Sequence, residues 1–432
     1  MAREMKDSGV AWIGEIPAEW KLRKGKFLFT QRSEKGNTKE LQLLSPTQKY
    51  GVIPQSLYEE LSGMKAVKLD ESADYSSLKS IYAGDFCISL RSFQGGFEYS
   101  KYNGVVSPAY QVFYKNVPLC DGYYRYMFKD QGFISKMTSY TRTFRDGKSI
   151  SFSDFADSLI PVPPLEDQRR ISAFLDVECA RIDAVIEKTR ASIEEYKKLK
   201  QSVITQAVTK GIRPGRKMKD SGIEWIGEIP EEWDVRRIKT IFSLRDERNY
   251  LPLEEVNLIS LYTDLGVVQH SDLEKTTGNK ASNADGYKIV HENDIIVNII
   301  LCWMGAIGRS AYSGVTSPAY DIYVPSDKIE CRFYHHYFRT KGFSGDCYKR
   351  GKGIMAMRWR TYSDQFRDIR VVVPPIEEQR EILAYLDSKT AEIDALIAKK
   401  ERLLAEMENY KKSLIFEYVT GKKEVSADWI SN

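Results

Sequence analysis

Hydrophobic and polar positions along the chain fall into two rhythms, and each rhythm occurs twice. From Leu165 to Thr209, and again from Ile376 to Thr420, there is neither Pro nor Gly, and apolar residues return in steps of three and four. In the first stretch Ile182, Val185, Thr189, Tyr196, Leu199 and Val203 keep that step. In the second, Leu386, Ile393, Leu396, Leu403, Met407, Tyr410 and Leu414 do. The spacing predicts two long helices, each with the a/d seam of a coiled coil. Pro163-Pro164 and Pro374-Pro375 precede them, where a missing N–H costs a helix nothing. Glu166, Asp167, Glu377 and Glu378 follow at the positive end of the dipole, and Gly211 and Gly421 mark the stops. About 45 residues at 1.5 Å each make a rod of roughly 65 Å, longer than a domain of about 150 residues is wide. Length thus favours two rods packed on each other, antiparallel, over an amphipathic helix lying on its own domain.

The second rhythm fills the roughly 150 residues before each rod. Short β-rich runs such as FCISL and IIVNII alternate with Gly, Pro and Asn punctuation, which predicts compact mixed α/β domains. The two halves repeat block by block at a period of about 211 residues. MKDSGVAWIGEIPAEW at Met5 returns as MKDSGIEWIGEIPEEW at Met218, changed only at Val10/Ile223, Ala11/Glu224 and Ala18/Glu231. GVVSPAYQVF at Gly104 matches GVTSPAYDIY at Gly314, and YYRYMFKDQGF at Tyr123 matches FYHHYFRTKGF at Phe333. The expected fold class is α/β (α+β): two similar domains, 1–158 and 216–369, each followed by a helical segment, 159–215 and 370–432, with an internal pseudo-two-fold repeat.

Composition narrows the chemistry. The chain of 432 residues has 64 basic and 60 acidic residues, so a nucleic-acid partner would have to meet a local basic patch. The six Cys (87, 120, 179, 302, 331, 347) include no CxxC pair and lack zinc spacing, which reads as reduced thiols in a cytoplasmic protein. No secretory h-region and no apolar run near 18 residues occur, so neither secretion nor a membrane span is expected. There is no phosphate loop, no dinucleotide fingerprint and no Asn-Pro-Pro-aromatic or Asp-Pro-Pro-aromatic element of amino-methyltransferases. His335-His336 aligns with Arg125-Tyr126 and lies outside the shared design. No catalytic or metal site is expected.

What remains is binding. Three windows differ between the halves while their frames match: SPTQKYG at Ser45 against SLYTDLG at Ser260; the stretch holding Arg91 and Gln94 against 298–308; and the basic run of Arg142, Arg145 and Lys148 against Lys349, Arg350, Lys352, Arg358 and Arg360. With Gln48, Lys49, Tyr50 and Tyr262 these are the candidate DNA contacts. Arg suits phosphate and guanine, and Gln suits adenine. An exposed, solvated charged loop is the plainer alternative. Trp12, Trp20, Trp225 and Trp233 lie in the most similar block, so they point to packing or to a shared docking surface, not to reading.

These blocks resemble the specificity subunits of type I restriction-modification enzymes. DSGVAWIGEIPAEW and DSGIEWIGEIPEEW open the halves, PPLEDQRRISAFLD and PPIEEQREILAYLD open the rods, and the likeness spans nearly the whole chain. The resemblance implies a non-catalytic subunit that selects double-stranded DNA for two adenine methyltransferase subunits and two ATP-driven restriction subunits. S-adenosylmethionine, Mg2+ and ATP would belong to those partners. Each variable domain would read one half of a bipartite site, with the rods setting the spacing. A coiled-coil scaffold joining two protein-binding domains is the rival reading.

Overall fold

The computed structural model describes residues 3–36, 41–64, 75–88, 96–140, 150–272, 283–353, 359–426 and 429. The chain forms two compact units, Met1–Arg190 with Arg402–Asn432, and Ala191–Glu401. The first long helix, Leu165–Lys210, and the second, Ile376–Val419, are therefore each shared between the units.

In the first unit the opening block folds into a hairpin, Met5–Asp7 against Glu15–Pro17. Trp20 follows it into the core, edge-on to Tyr123 at 6.4 Å. The Tyr123 hydroxyl donates to the carbonyl of Val419, 2.7 Å away, at the end of the second long helix. Gly421, at φ +74°, stops that helix; a Cβ there would lie 2.5 Å from Pro17. In the second unit the same hairpin, Met218–Asp220 against Glu228–Pro230, brings Trp233 to Gly211, at φ +75°, where the first long helix ends. The repeated block thus seats a helix C-terminus in both units. Only Gly tolerates that left-handed stop at such close range.

Above this seat each unit builds a four-stranded antiparallel sheet. The order is Phe29–Gln31, Gln111–Lys115, Phe86–Ile88, Phe97–Tyr99 in the first unit. In the second it is Phe242–Arg245, Tyr320–Pro325, Ile295–Asn298, Ile307–Arg309. A bidentate pair braces each sheet, Arg32 on Asp85 (2.7 and 3.1 Å) and Arg245 on Asp294 (3.0 and 3.2 Å). The cores differ in filling. Phe86, Phe97 and Phe113 of the first unit stand at the positions that Ile295, Ile307 and Tyr323 hold in the second. The expected core aromatics Tyr123, Tyr124, Phe128, Phe333, Tyr334 and Phe338 are buried, as are Cys87 and Cys302.

Within each unit the two long helices run antiparallel. Lys411 pairs with Asp183 at 2.6 Å and Arg190 with Glu408 at 2.7 Å in the first unit. In the second, Lys200 pairs with Asp394, and the Lys400 ammonium lies 5.6 Å from the Tyr196 ring. The seam keeps the expected period, but its phase differs. Ile186 and Ile193 are buried, whereas Val185 and Leu199 are 44% and 48% exposed. Likewise Leu386, Ile393 and Leu414 are buried, but Leu396, Leu403 and Tyr410 face solvent. Steps of 3-4 and 4-3 from Ile182 satisfy a heptad equally, and the buried frame is the one that holds Ile186 and Ile193. Leu396, Leu403 and Tyr410 recur at intervals of seven, so the second helix carries an apolar stripe besides its seam. No helix among the described residues is long and apolar enough to cross a membrane.

Candidate nucleic-acid interface

Three chain segments far apart in sequence meet at one end of the second unit's sheet. The first is the hairpin Ile259–Tyr262 with Gly266–Gln269, whose tip is Thr263-Asp264-Leu265. The second is the 3-10 turn Cys302–Met304, which follows strand Ile295–Asn298 and ends on Gly305 at φ +91°. The third runs from the end of helix Lys341–Arg350 to Thr361. Arg339 ties the first to the second. Its guanidinium donates to the carbonyls of Thr263 and Asp264, both at 2.9 Å, and to those of Gly305 and Ile307 at 3.3 and 3.2 Å. The second joins the third through Trp303, 5.6 Å from Tyr348, and through the Thr361 amide, which donates to Ile299 at 2.9 Å.

The third segment is closed at its base. Lys352 and Arg360 exchange backbone hydrogen bonds of 2.8 and 3.0 Å. Trp359 stacks on Tyr348 at 4.9 Å and donates its indole N–H to the Tyr348 carbonyl. A Cβ on Gly351 would fall 2.3 Å from that indole nitrogen, so the stack requires glycine there. The aromatic base holds up cations: Lys349, Arg350 and Lys352 are exposed, and Arg360 is half-buried. Lys349 is also paired with Glu224 at 2.6 Å, and that carboxylate raises the ammonium above its ordinary range. Arg358 lies outside the described residues.

In the first unit Gln48, Lys49 and Tyr50 form the exposed tip between Leu44–Thr47 and Gly51–Pro54. The Thr47 hydroxyl closes this tip, accepting from the Tyr50 amide and donating to the Gly51 carbonyl, both at 3.0 Å. The Lys49 ammonium lies 5.1 Å from the Tyr50 ring. Arg91, Gln94, Arg142, Arg145 and Lys148 lie outside the described residues. Their flanks nevertheless approach one another. Ile88, before one window, faces Gln111 across the sheet, and Gln111 donates to Ile150, just after the other, at 3.3 Å.

Tyr262 is exposed at the foot of its hairpin, in register with Gly266. The tryptophans of the repeated block divide into two kinds. Trp20 and Trp233 are sealed in the cores, the packing option of the two, and expose no side-chain surface. Trp12 and Trp225 are half-buried against helix glycines: a Cβ on Gly132 would sit 2.9 Å from Trp12, and one on Gly342 2.0 Å from Trp225. The Trp225 indole also donates to Asp346 at 2.7 Å. Arg339 escaped the sequence reading because it sits in an aromatic helix that reads as core; its alignment with Lys129 was the available signal. His335 beside it is half-buried, and desolvation pushes its imidazole down to about 3 from 6.5. Among the described residues no cluster of His, Cys, Asp and Glu could hold a metal ion.

The comparisons with known proteins agree with this geometry. Residues 230–406 match the type I restriction modification DNA specificity domain. The type I restriction enzyme MjaVIII specificity subunit of Methanocaldococcus jannaschii is 24% identical over 331 residues, 72% of each chain. The EcoDI specificity subunit of Escherichia coli is 24% identical over 382 residues, 81% of this chain and 80% of that one. Among solved structures, a chain from a study of assembly and conformational transition in a type I R-M system superposes with a TM-score of 0.69 at 14% identity. It covers 94% of this chain and 99% of that one. The HsdS subunit of Thermoanaerobacter tengcongensis gives 0.51 at 16% identity, covering 94% and 98%. With its duplicated unit and long paired helices, the chain is similar along most of its length to the specificity subunits of type I restriction-modification systems.

Proposed function

We propose that each unit reads one half of a bipartite duplex site, and that the paired helices set the distance between the halves. The meeting of three divergent windows at one end of the second unit's sheet carries this reading. Those windows differ between the units while the blocks that frame them match. A rigid spacer fits the task because half-sites must face their readers at a fixed phase of about 10–10.5 base pairs per turn. The exposed apolar positions of the long helices, Val177, Val185, Leu199, Leu396, Leu403 and Tyr410, are the surface offered to two methyltransferase subunits. This role passes to them from the buried tryptophans. S-adenosylmethionine, Mg2+ and ATP belong to those partners and to the restriction subunits, and the chain itself selects without catalysing.

The test is to exchange residues 1–158 for the corresponding domain of a relative and to map methylated adenines in cells that also make the methyltransferase. One half of the modified site should change while the other half and the spacing persist. A change in both halves would defeat independent reading. Modification with no bipartite pattern would favour the scaffold alternative.

A further inference from the structure

Arg339 is the one cation of the second unit described above whose two terminal guanidinium nitrogens both donate to main-chain oxygens. Among the described residues no carboxylate forms an ion pair with it, and burial pulls its guanidinium below the ordinary value. A partly buried charge held by four carbonyls is a costly device, so it calls for a purpose. The four carbonyls lie on two segments, the hairpin tip and the run from Gly305 at the end of the turn to Ile307 at the start of the next strand. A planar guanidinium can span both, whereas an ammonium is a single point with three rotatable donors.

The tip that Arg339 fixes is unlike its counterpart. Thr263-Asp264-Leu265 stands where the first unit has Gln48-Lys49-Tyr50. All three residues are exposed, Leu265 by 62%. A carboxylate and an isobutyl group repel or ignore phosphate. They do suit a base edge in the major groove, where carboxylate accepts from an exocyclic amino group and an apolar side chain meets a thymine methyl. The neighbouring basic segment ending in Arg350 and Lys352 supplies the charge that draws in the backbone. The space that admits this arrangement comes from Gly308, where a Cβ would lie 3.3 Å from Val267 of the same hairpin and 3.4 Å from His335. In the first unit Glu98 stands at that position and pairs with Lys129, the residue aligned with Arg339, at 2.6 Å.

We infer that Arg339 is a positioning residue that holds the 263–265 turn rigid so that Asp264 and Leu265 read a base pair carrying an exposed amino group. The inference rests on the proposal that the second unit reads DNA. Rigidity matters because discrimination is lost when a reading group can relax away from the wrong base.

The experiment uses the complex of this chain with its methyltransferase, and duplexes carrying the mapped site with single base-pair changes in each half. Binding is measured by competition for wild type, Arg339→Lys and Arg339→Met. Arg339→Lys keeps the charge and the stem but loses the fork. Its discrimination against changes in the second unit's half-site should fall about tenfold, the scale of one mismatched pair. Discrimination in the other half and affinity for unrelated duplex should stay as in wild type, readouts that general weakening of the fold would move together. Arg339→Met should lose at least as much. If Arg339→Lys discriminates as wild type does, the positioning role is wrong. If wild type itself ignores every change in that half, the reading on which the inference rests fails instead.

Discussion

The two halves share every strand pairing of their main sheets and the Arg–Asp brace across them, yet they differ in where they place charge inside. In the second unit the Lys288 ammonium meets Asp321 at 2.9 Å, both nearly buried, and Ser363 donates to the same carboxylate. In the first unit Gln111 replaces the aspartate, and Lys79 donates to the Tyr110 carbonyl at 2.7 Å. Near the hairpin the order reverses: the first unit buries the Glu98–Lys129 pair, and the second has Gly308 and Arg339. A duplicated frame tolerates different internal ion pairs as long as each buried charge keeps a partner.

This contrast can be broken experimentally, most forcefully at the buried pair. Lys288→Met leaves Asp321 an orphan charge and should cost about 4 kcal/mol, whereas Lys79→Met, which strands only a carbonyl, should cost about 1 kcal/mol. Urea denaturation of the two variants decides it; equal losses would mean that the pair is not the difference between the halves.

The next effect is one of pH. Burial outweighs the Lys129 ion pair and pushes the Glu98 carboxyl up to about 7 from 4.5. The folded chain therefore binds a proton that the unfolded chain releases between those values. This contribution is complete below about pH 4.5 and is lost as pH rises to about 7, by up to about 3 kcal/mol. Glu98→Gln should flatten that slope, as denaturation at pH 5 and pH 8 would reveal. The second unit, with Gly308 in that place, has no counterpart.

The smallest contrast concerns tryptophan seats. A methyl group on Gly342 would overlap the Trp225 ring at 2.0 Å, while one on Gly132 would reach Trp12 at 2.9 Å. Gly342→Ala should cost about 2–3 kcal/mol and Gly132→Ala about 1 kcal/mol, read as a larger fall in melting temperature for the former. The reverse ranking would show that Trp12 is the more tightly held.

Much of this architecture was legible in the sequence because the chain states it twice. The matched blocks gave the repeat, and the Pro-free, Gly-free stretches gave the rods. The seam's phase was not legible, since Val185 and Ile186 satisfy the heptad equally and only the core they join separates them. The meeting of the windows was hidden as well, because segments about 40 to 90 residues apart are brought together by sheet register and by Arg339, neither of which leaves a local pattern. The buried state of Trp20 and Trp233 could be argued only as one of two options, since a repeated tryptophan suits a core and a docking face alike.

The stripe of Leu396, Leu403 and Tyr410 carries a consequence for the cell. A copy made in excess of whatever covers it keeps large apolar side chains in water at regular intervals, a pattern that invites self-association. If the proposed partners cover the stripe, molecules of this chain made in surplus to them would be the first that chaperones hold and proteases clear.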